Sequence, residues 1–260
     1  SGRGHRPVLL AKHQLATLRG CEALCSAAVL GWCIGDAARR GRGGEVFASA
    51  DTWVLLLTLI YLTMLALVTR KAAKAHAILL EVSSKIPFYV APLFWLMATL
   101  LPLPPIIIVC HWALVAAKQG SGQGSALVGD PEWAGHAVMQ TFALLLLTLD
   151  AAVSGMRLHL MHCWMASMFS LVFFVYTIIF NSSSGNEASP KHVYASLDWT
   201  SGKGDGAAGL VVVTVVACPL MSLVCFALTR WRSTVDCSHL RWPKNPFKSE
   251  FSADLPDGLP

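Results

Sequence analysis

Between Trp133 and Val153, an otherwise apolar stretch, three polar side chains stand out: His136, Gln140 and Asp150. At about 100° per residue, Gln140 and Asp150 each fall within about 40° of His136 on the surface of a helix, so all three share one face. Ionisable groups in such a segment are costly unless they face a protein interior, where they take structural or functional roles. At about 1.5 Å per residue His136 and Asp150 lie about 21 Å apart along the axis, near opposite membrane surfaces, and do not form a dyad. His136 offers a general base or a ligand at one surface, where His111, closing another apolar stretch, can join it. The alternative is an interfacial histidine satisfied by a neighbouring hydroxyl or carbonyl. Asp150, at the other surface, is set to pair with Arg157, His159 or His162 in the short connection that follows. That pairing reads as a structural salt bridge, with a metal or lipid-headgroup site as the alternative. The spacing of these histidines is not that of a metal motif, and there is no nucleophile elbow, phosphate-binding loop, zinc-protease motif or dinucleotide fingerprint. No cofactor is expected.

The elements that position these residues are membrane spans. Hydrophobic residues make up 55% of the 260 and charged residues 13%, against roughly a quarter charged in soluble domains. The apolar residues are gathered into runs separated by short segments that hold most of the charge. A hydrocarbon core about 30 Å thick leaves backbone groups no water to bond, so runs of this length must be helices. The pattern predicts an all-α, polytopic bundle of about six transmembrane helices, with spans at about 18–34, 52–69, 86–117, 133–153, 160–180 and 209–229. Residues 1–17 form an N-terminal segment, 18–229 the membrane domain, and 230–260 a tail that is basic and then disordered. The first run is short and resembles the core of a signal peptide. It is read as a span because Arg3, Arg6, Lys12 and Arg19 precede it and no clear cleavage site follows. The chain starts without Met, which leaves room for a targeting segment ahead of it. The third run is too long for one upright helix and carries Pro102, Pro104 and Pro105 in its middle, which predicts a kinked or broken helix, with two short re-entrant pieces as the alternative.

Fourteen of the 20 Lys and Arg fall on the side of the two termini and six on the other, so the positive-inside rule puts both termini in the cytosol. The net charge of +5 then speaks for membrane lipids as partners and not for nucleic acid. Asn181-Ser182-Ser183 is a glycosylation sequon on the outer or lumenal side, close to the membrane, which suits the secretory pathway or plasma membrane. Tryptophans at span ends (Trp53, Trp95, Trp112, Trp133, Trp164, Trp199, Trp231) read as an interfacial belt. The eight cysteines form no CxxC pair and read as small packing residues; Cys21 and Cys237, near cytosolic ends, are open to acylation.

Across about residues 50–232 the chain resembles the Rolling stone-like family of multi-pass membrane proteins, named for an insect protein associated with myoblast fusion. The resemblance rests on Asp51-Thr52-Trp53, Trp95, His111-Trp112, Gly135-His136, Asp150, Arg157-Leu158-His159, Tyr176 and the run Val193 to Trp199, which includes Tyr194 and Asp198. That family is distantly similar to the androgen-induced membrane hydrolases, which cleave fatty-acid esters of hydroxy fatty acids with an intramembrane Thr and His. Carried onto this chain, the resemblance makes Thr58 the nearest counterpart of the nucleophile, one residue out of register after Trp53. His136 matches the first histidine of the hydrolase Asn-His-x-x-His stretch, and Met139 stands at the second.

Two main classes of function follow: a non-enzymatic protein that organises membranes or mediates interaction, and a threonine- and histidine-dependent lipid-ester hydrolase, with a transporter, for which the broken third span speaks, as a third. The second needs Thr58 and His136 within reach of each other, directly or through one water; the first predicts that they stay apart.

Overall fold

A computed structural model describes residues 12–41, 46–47, 49–75, 91–120, 131–154, 158, 162–183, 209 and 211–234. Among these residues the elements are all helical: α1 (Lys12–Arg39), α2 (Ala50–Ala75), α3 (Ala91–Leu100), α4 (Leu103–Gly120), α5 (Pro131–Ser154), α6 (Met165–Ser183) and α7 (Cys218–Thr234), the last entered through a π-helical turn at Val212–Ala217. Among the described residues five helical stretches are long and apolar enough to cross a membrane: Gln14–Arg39, Ala50–Lys71, Ala91–Trp112, Gly135–Val153 and Val212–Trp231. The sixth apolar helix, Met165–Phe180, is shorter. The protein is an all-α membrane bundle.

Sequence patterning explains which way each helix turns. The buried residues of α1, namely Arg19, Glu22, Ala23, Ser26, Leu30 and Cys33, recur at steps of one, three or four and form one stripe. On α2 the stripe is Val54, Leu55, Thr58, Tyr61, Leu62 and Leu65; on α5 it is Met139, Gln140, Ala143, Leu146, Leu147 and Asp150. These three stripes face one another, and α3 and α4 close the core with Leu93, Met97, Leu100, Leu103 and Ile106. The outward faces carry bare apolar side chains such as Leu24, Leu67, Val172, Ile179 and Val215. So contiguous an apolar surface belongs in lipid rather than water. Trp95, Trp112, Trp164 and Trp231 are also more than half exposed.

Helix ends depart from the hydropathy boundaries. α1 begins at Lys12 rather than Leu18, because Arg19 and Glu22 sit on its buried face and need not end it. Arg19, which sequence reasoning assigned to the flank of the first span, is 6% exposed inside the bundle. α6 runs to Ser183, so Asn181 belongs to its last turn rather than to the following loop. α7 reaches Thr234, beyond the expected start of the tail at residue 230.

The expected break in the third span is present. α3 ends at Leu100, with the Leu101 N–H still bonded to Met97 O at 3.0 Å, and α4 starts at Leu103 after a turn holding the fully buried Pro102. Pro104 and Pro105 then occupy the first turn of α4, where a missing N–H leaves no carbonyl unpaired. Another proline shapes α7: Pro219 has no N–H for the carbonyl one turn back, and the Cys218 N–H reaches five residues back to Val213 O. The wider π turn absorbs that mismatch.

Candidate functional site

Two polar clusters tie α1, α2 and α5 together at two levels. At the first level, Asp51 opens α2 and His136 stands on the first turns of α5. The His136 Nδ1 atom lies 2.7 Å from Asp51 Oδ2, and the Asp51 side chain is fully buried while that of His136 is 27% exposed. Ser49 caps the helix next to this pair: its hydroxyl accepts from the Thr52 N–H at 3.3 Å and lies 2.8 Å from the Thr52 hydroxyl. Thr52 also reaches Met139 Sδ at 3.9 Å, one turn along α5 from His136. His111, midway along α4, lies close enough to feel the charges of Asp51 and His136. The structure thus gathers His111 and His136, and adds Asp51 as the residue that fixes the His136 ring.

At the second level, Asp150 is 2% exposed. Its Oδ1 accepts from Arg19 Nε at 3.0 Å and its Oδ2 from the Tyr61 hydroxyl at 2.7 Å. Arg19 also donates through Nη1 to Thr69, whose hydroxyl is bonded to Leu65 O. Glu22, one turn along α1 from Arg19, is 4% exposed and within electrostatic range of Arg19, Asp150 and Tyr61. The sequence pointed to partners in the connection after α5; among the described residues the carboxylate oxygens of Asp150 are engaged by two distant helices. Arg157, His159, Tyr194, Asp198 and Trp199 lie outside the described residues.

The pairs Asp51–His136 and Tyr61–Asp150 advance in the same direction along α2 and α5, so these two helices run parallel, as the second and fourth spans of an alternating bundle must. Between the clusters the buried polar side chains among the described residues of α1, α2 and α5 include Thr58, Gln140 and, on α1, Ser26. Thr58 is fully buried and donates to Val54 O at 2.7 Å within its own helix. Gln140 is 4% exposed.

Two motif residues prove to be packing residues. Trp53 meets Tyr176 at 5.0 Å and Phe173 at 6.3 Å between ring centroids, and Tyr176 stacks on Phe180 at 6.0 Å. The indole N–H of Trp53 is bonded to Phe47 O at 2.7 Å.

Sequence reasoning missed Asp51, Arg19, Tyr61 and Glu22 as members of these clusters. Arg19, Glu22 and Ser26 do stand at steps of three and four, a signal that a helical-wheel reading of the first run would have caught. Tyr61, on a run of uniform hydropathy, carried none. Among the described residues no group of three or more His, Cys, Asp or Glu is arranged to hold a metal ion. The chain was compared with family models, curated proteins and solved structures, and none of them matches.

Proposed function

We propose that this chain is a multi-pass membrane protein of the Rolling stone-like kind that organises the bilayer or holds a partner within it, and that it turns over no substrate. The observation that supports this reading is the separation of the two residues a hydrolase would need. Thr58 spends its hydroxyl proton on Val54 O. It also stands two turns, about 10 Å along the axis, from Asp51, which holds His136. In this reading the two polar clusters are fasteners: a bundle in lipid lacks a hydrophobic drive between helices and relies on packing and interhelical polar bonds. Both termini are cytosolic, the partners are membrane lipids, and the secretory pathway or plasma membrane is the place of action.

A second reading draws on the Asp51–His136 pair itself. A buried carboxylate on Nδ1 orients an imidazole and supports a positive charge on it, which is the base-and-orienter half of a nucleophilic hydrolase. The hydroxyls of Ser49 and Thr52 then stand nearer in the chain than Thr58 to Asp51, which holds that base.

The experiment is turnover of a lipid-ester panel, together with labelling by a fluorophosphonate probe. It uses purified protein and its Thr52→Ala, Thr58→Ala and His136→Ala variants, each checked for monodispersity. No labelling and no turnover in the folded wild type supports the first reading. Labelling or turnover that disappears in His136→Ala and in one threonine variant overturns it and identifies the nucleophile.

A further inference from the structure

Charge does not balance in the second polar cluster. Arg19 carries one positive charge, and Asp150 takes it through a 3.0 Å bond. Glu22 brings a second carboxyl to the same place, on the same face of α1, three residues from Arg19. It is 4% exposed, and neither Oε1 nor Oε2 has a hydrogen-bond partner. Ser26, one turn further along that stripe, is fully buried with its hydroxyl oxygen equally unpartnered. The helices packed against α1 are α2 and α5. From α2 the titratable group facing Glu22 is Tyr61, from α5 it is Asp150, and on α1 itself it is Arg19. Tyr61 gives its proton to Asp150. Among the described residues no second cation answers the second carboxylate.

An ionised carboxylate in a membrane interior without a countercharge or a donor costs several kcal/mol at least. Something positive therefore accompanies Glu22. A monovalent metal ion fits poorly, because among the described residues the unpartnered oxygens here are the two of Glu22 and the one of Ser26, and the Arg19 guanidinium lies alongside and repels a cation. A proton needs no shell of oxygens and removes the charge.

We propose that Glu22 is a proton-binding site of the bundle: it holds one exchangeable proton beside the Arg19–Asp150 ion pair, and releasing it sets two carboxylates in competition for one guanidinium. The step balances simply. The O–H bond of the Glu22 carboxyl breaks, its electron pair stays on the carboxylate, and the proton leaves to water at the nearer membrane surface. Arg19 is then drawn toward Glu22 on its own helix and away from Asp150 on α5, so proton loss loosens the tie between α1 and α5. This inference is independent of whether the bundle acts on a lipid ester.

The test is infrared difference spectroscopy of the purified full chain in phosphatidylcholine vesicles, read through a rising pH series at the carbonyl stretch of protonated carboxylic acids. The wild type is expected to keep one such band at neutral pH, where exposed carboxylates have ionised, and to lose it at higher pH. Glu22→Gln, which keeps the shape and hydrogen-bonding ends of the side chain, is expected to lack the band altogether, and Asp150→Asn, which leaves the Arg19 guanidinium free to answer Glu22, is expected to lose the band at lower pH than the wild type. Absence of the band in wild-type protein at neutral pH overturns the proposal without reference to any variant. So does a band that survives in Glu22→Gln, or one that sodium or potassium chloride abolishes at fixed pH, which would make the site a metal-ion site instead.

Discussion

Asp150 receives two hydrogen bonds from two different helices, one from Arg19 at 3.0 Å and one from the Tyr61 hydroxyl at 2.7 Å, so a single carboxylate on α5 fastens α1 and α2 together. The two bonds are not equal in consequence. Removing Asp150 breaks the buried interhelical ion pair and leaves the guanidinium only Glu22, on its own helix, to answer it, whereas removing the tyrosine hydroxyl leaves a carboxylate that is still paired.

Asp150→Ala is therefore expected to destabilise the bundle by about 3–5 kcal/mol, and Tyr61→Phe by about 1 kcal/mol, the scale of interhelical hydrogen bonds in membranes. Thermal unfolding in detergent micelles should rank wild type above Tyr61→Phe and both well above Asp150→Ala. The double replacement Arg19→Met/Asp150→Leu should recover most of the loss, because well-packed apolar side chains replace a buried ion pair at little cost. A double variant no more stable than Asp150→Ala would contradict this account of the pair.

The hydroxyl of Thr58 serves only its own helix. Thr58→Val keeps the shape and branching and deletes a bond that an α-helical carbonyl does not need. The expected change in stability is within about 1 kcal/mol, with no change in any activity the protein has. A variant that folds normally but loses an activity would show that Thr58 does chemistry.

Trp53 is held by the ring faces of Tyr176 and Phe173 and by its indole bond to Phe47 O. Trp53→Leu keeps an apolar side chain but loses the aromatic pairs and that bond, at about 0.5–1.5 kcal/mol for each aromatic pair. The melting temperature should fall clearly in Trp53→Leu and less in Tyr176→Phe, which keeps the ring. Equal losses in the two would mean that the tyrosine hydroxyl, not the ring stack, matters.

The π turn before α7 brings the Thr214 hydroxyl to 3.2 Å from that of Ser170 on α6. Cysteines at both positions are expected to form a disulfide under mild oxidation, since that approach suits the geometry of the bond. Pro219→Ala restores an N–H, lets residues 212–217 wind as ordinary α-helix and rotates Thr214 away. Cross-linking yield on denaturing gels should therefore drop several-fold in the triple variant. An unchanged yield would mean that the π turn does not depend on the proline.

Much of the helix layout was legible because lipid imposes a length and a composition on each span. The broken third span was legible too, because Pro102, Pro104 and Pro105 remove three donors within four residues. The shared face of His136, Gln140 and Asp150 followed from spacing alone. What spacing could not supply was partners: Asp51 meets His136 across 85 residues, and Arg19 meets Asp150 across 131. Such pairings depend on how helices are arranged, which one sequence does not encode locally. Arg19 and Glu22 were harder still. A charge near the end of an apolar run looks like a flank anchored in water, and only the stripe it shares with Ala23, Ser26 and Leu30 shows that it points inward.

The parallel helices α2 and α5 are joined at two levels, by Asp51–His136 and Tyr61–Asp150, separated by about 21 Å along α5. A beam clamped at both ends can neither slide nor spin. Piston and rotary movements between these two helices would have to break both clamps together, so the pair behaves as a rigid spine for the molecule. Whatever the bundle does that requires motion must be carried elsewhere: by the elbow at Leu101 and Pro102, by the π turn leading into α7, or by α1, whose ion-paired tie to the spine passes through Arg19.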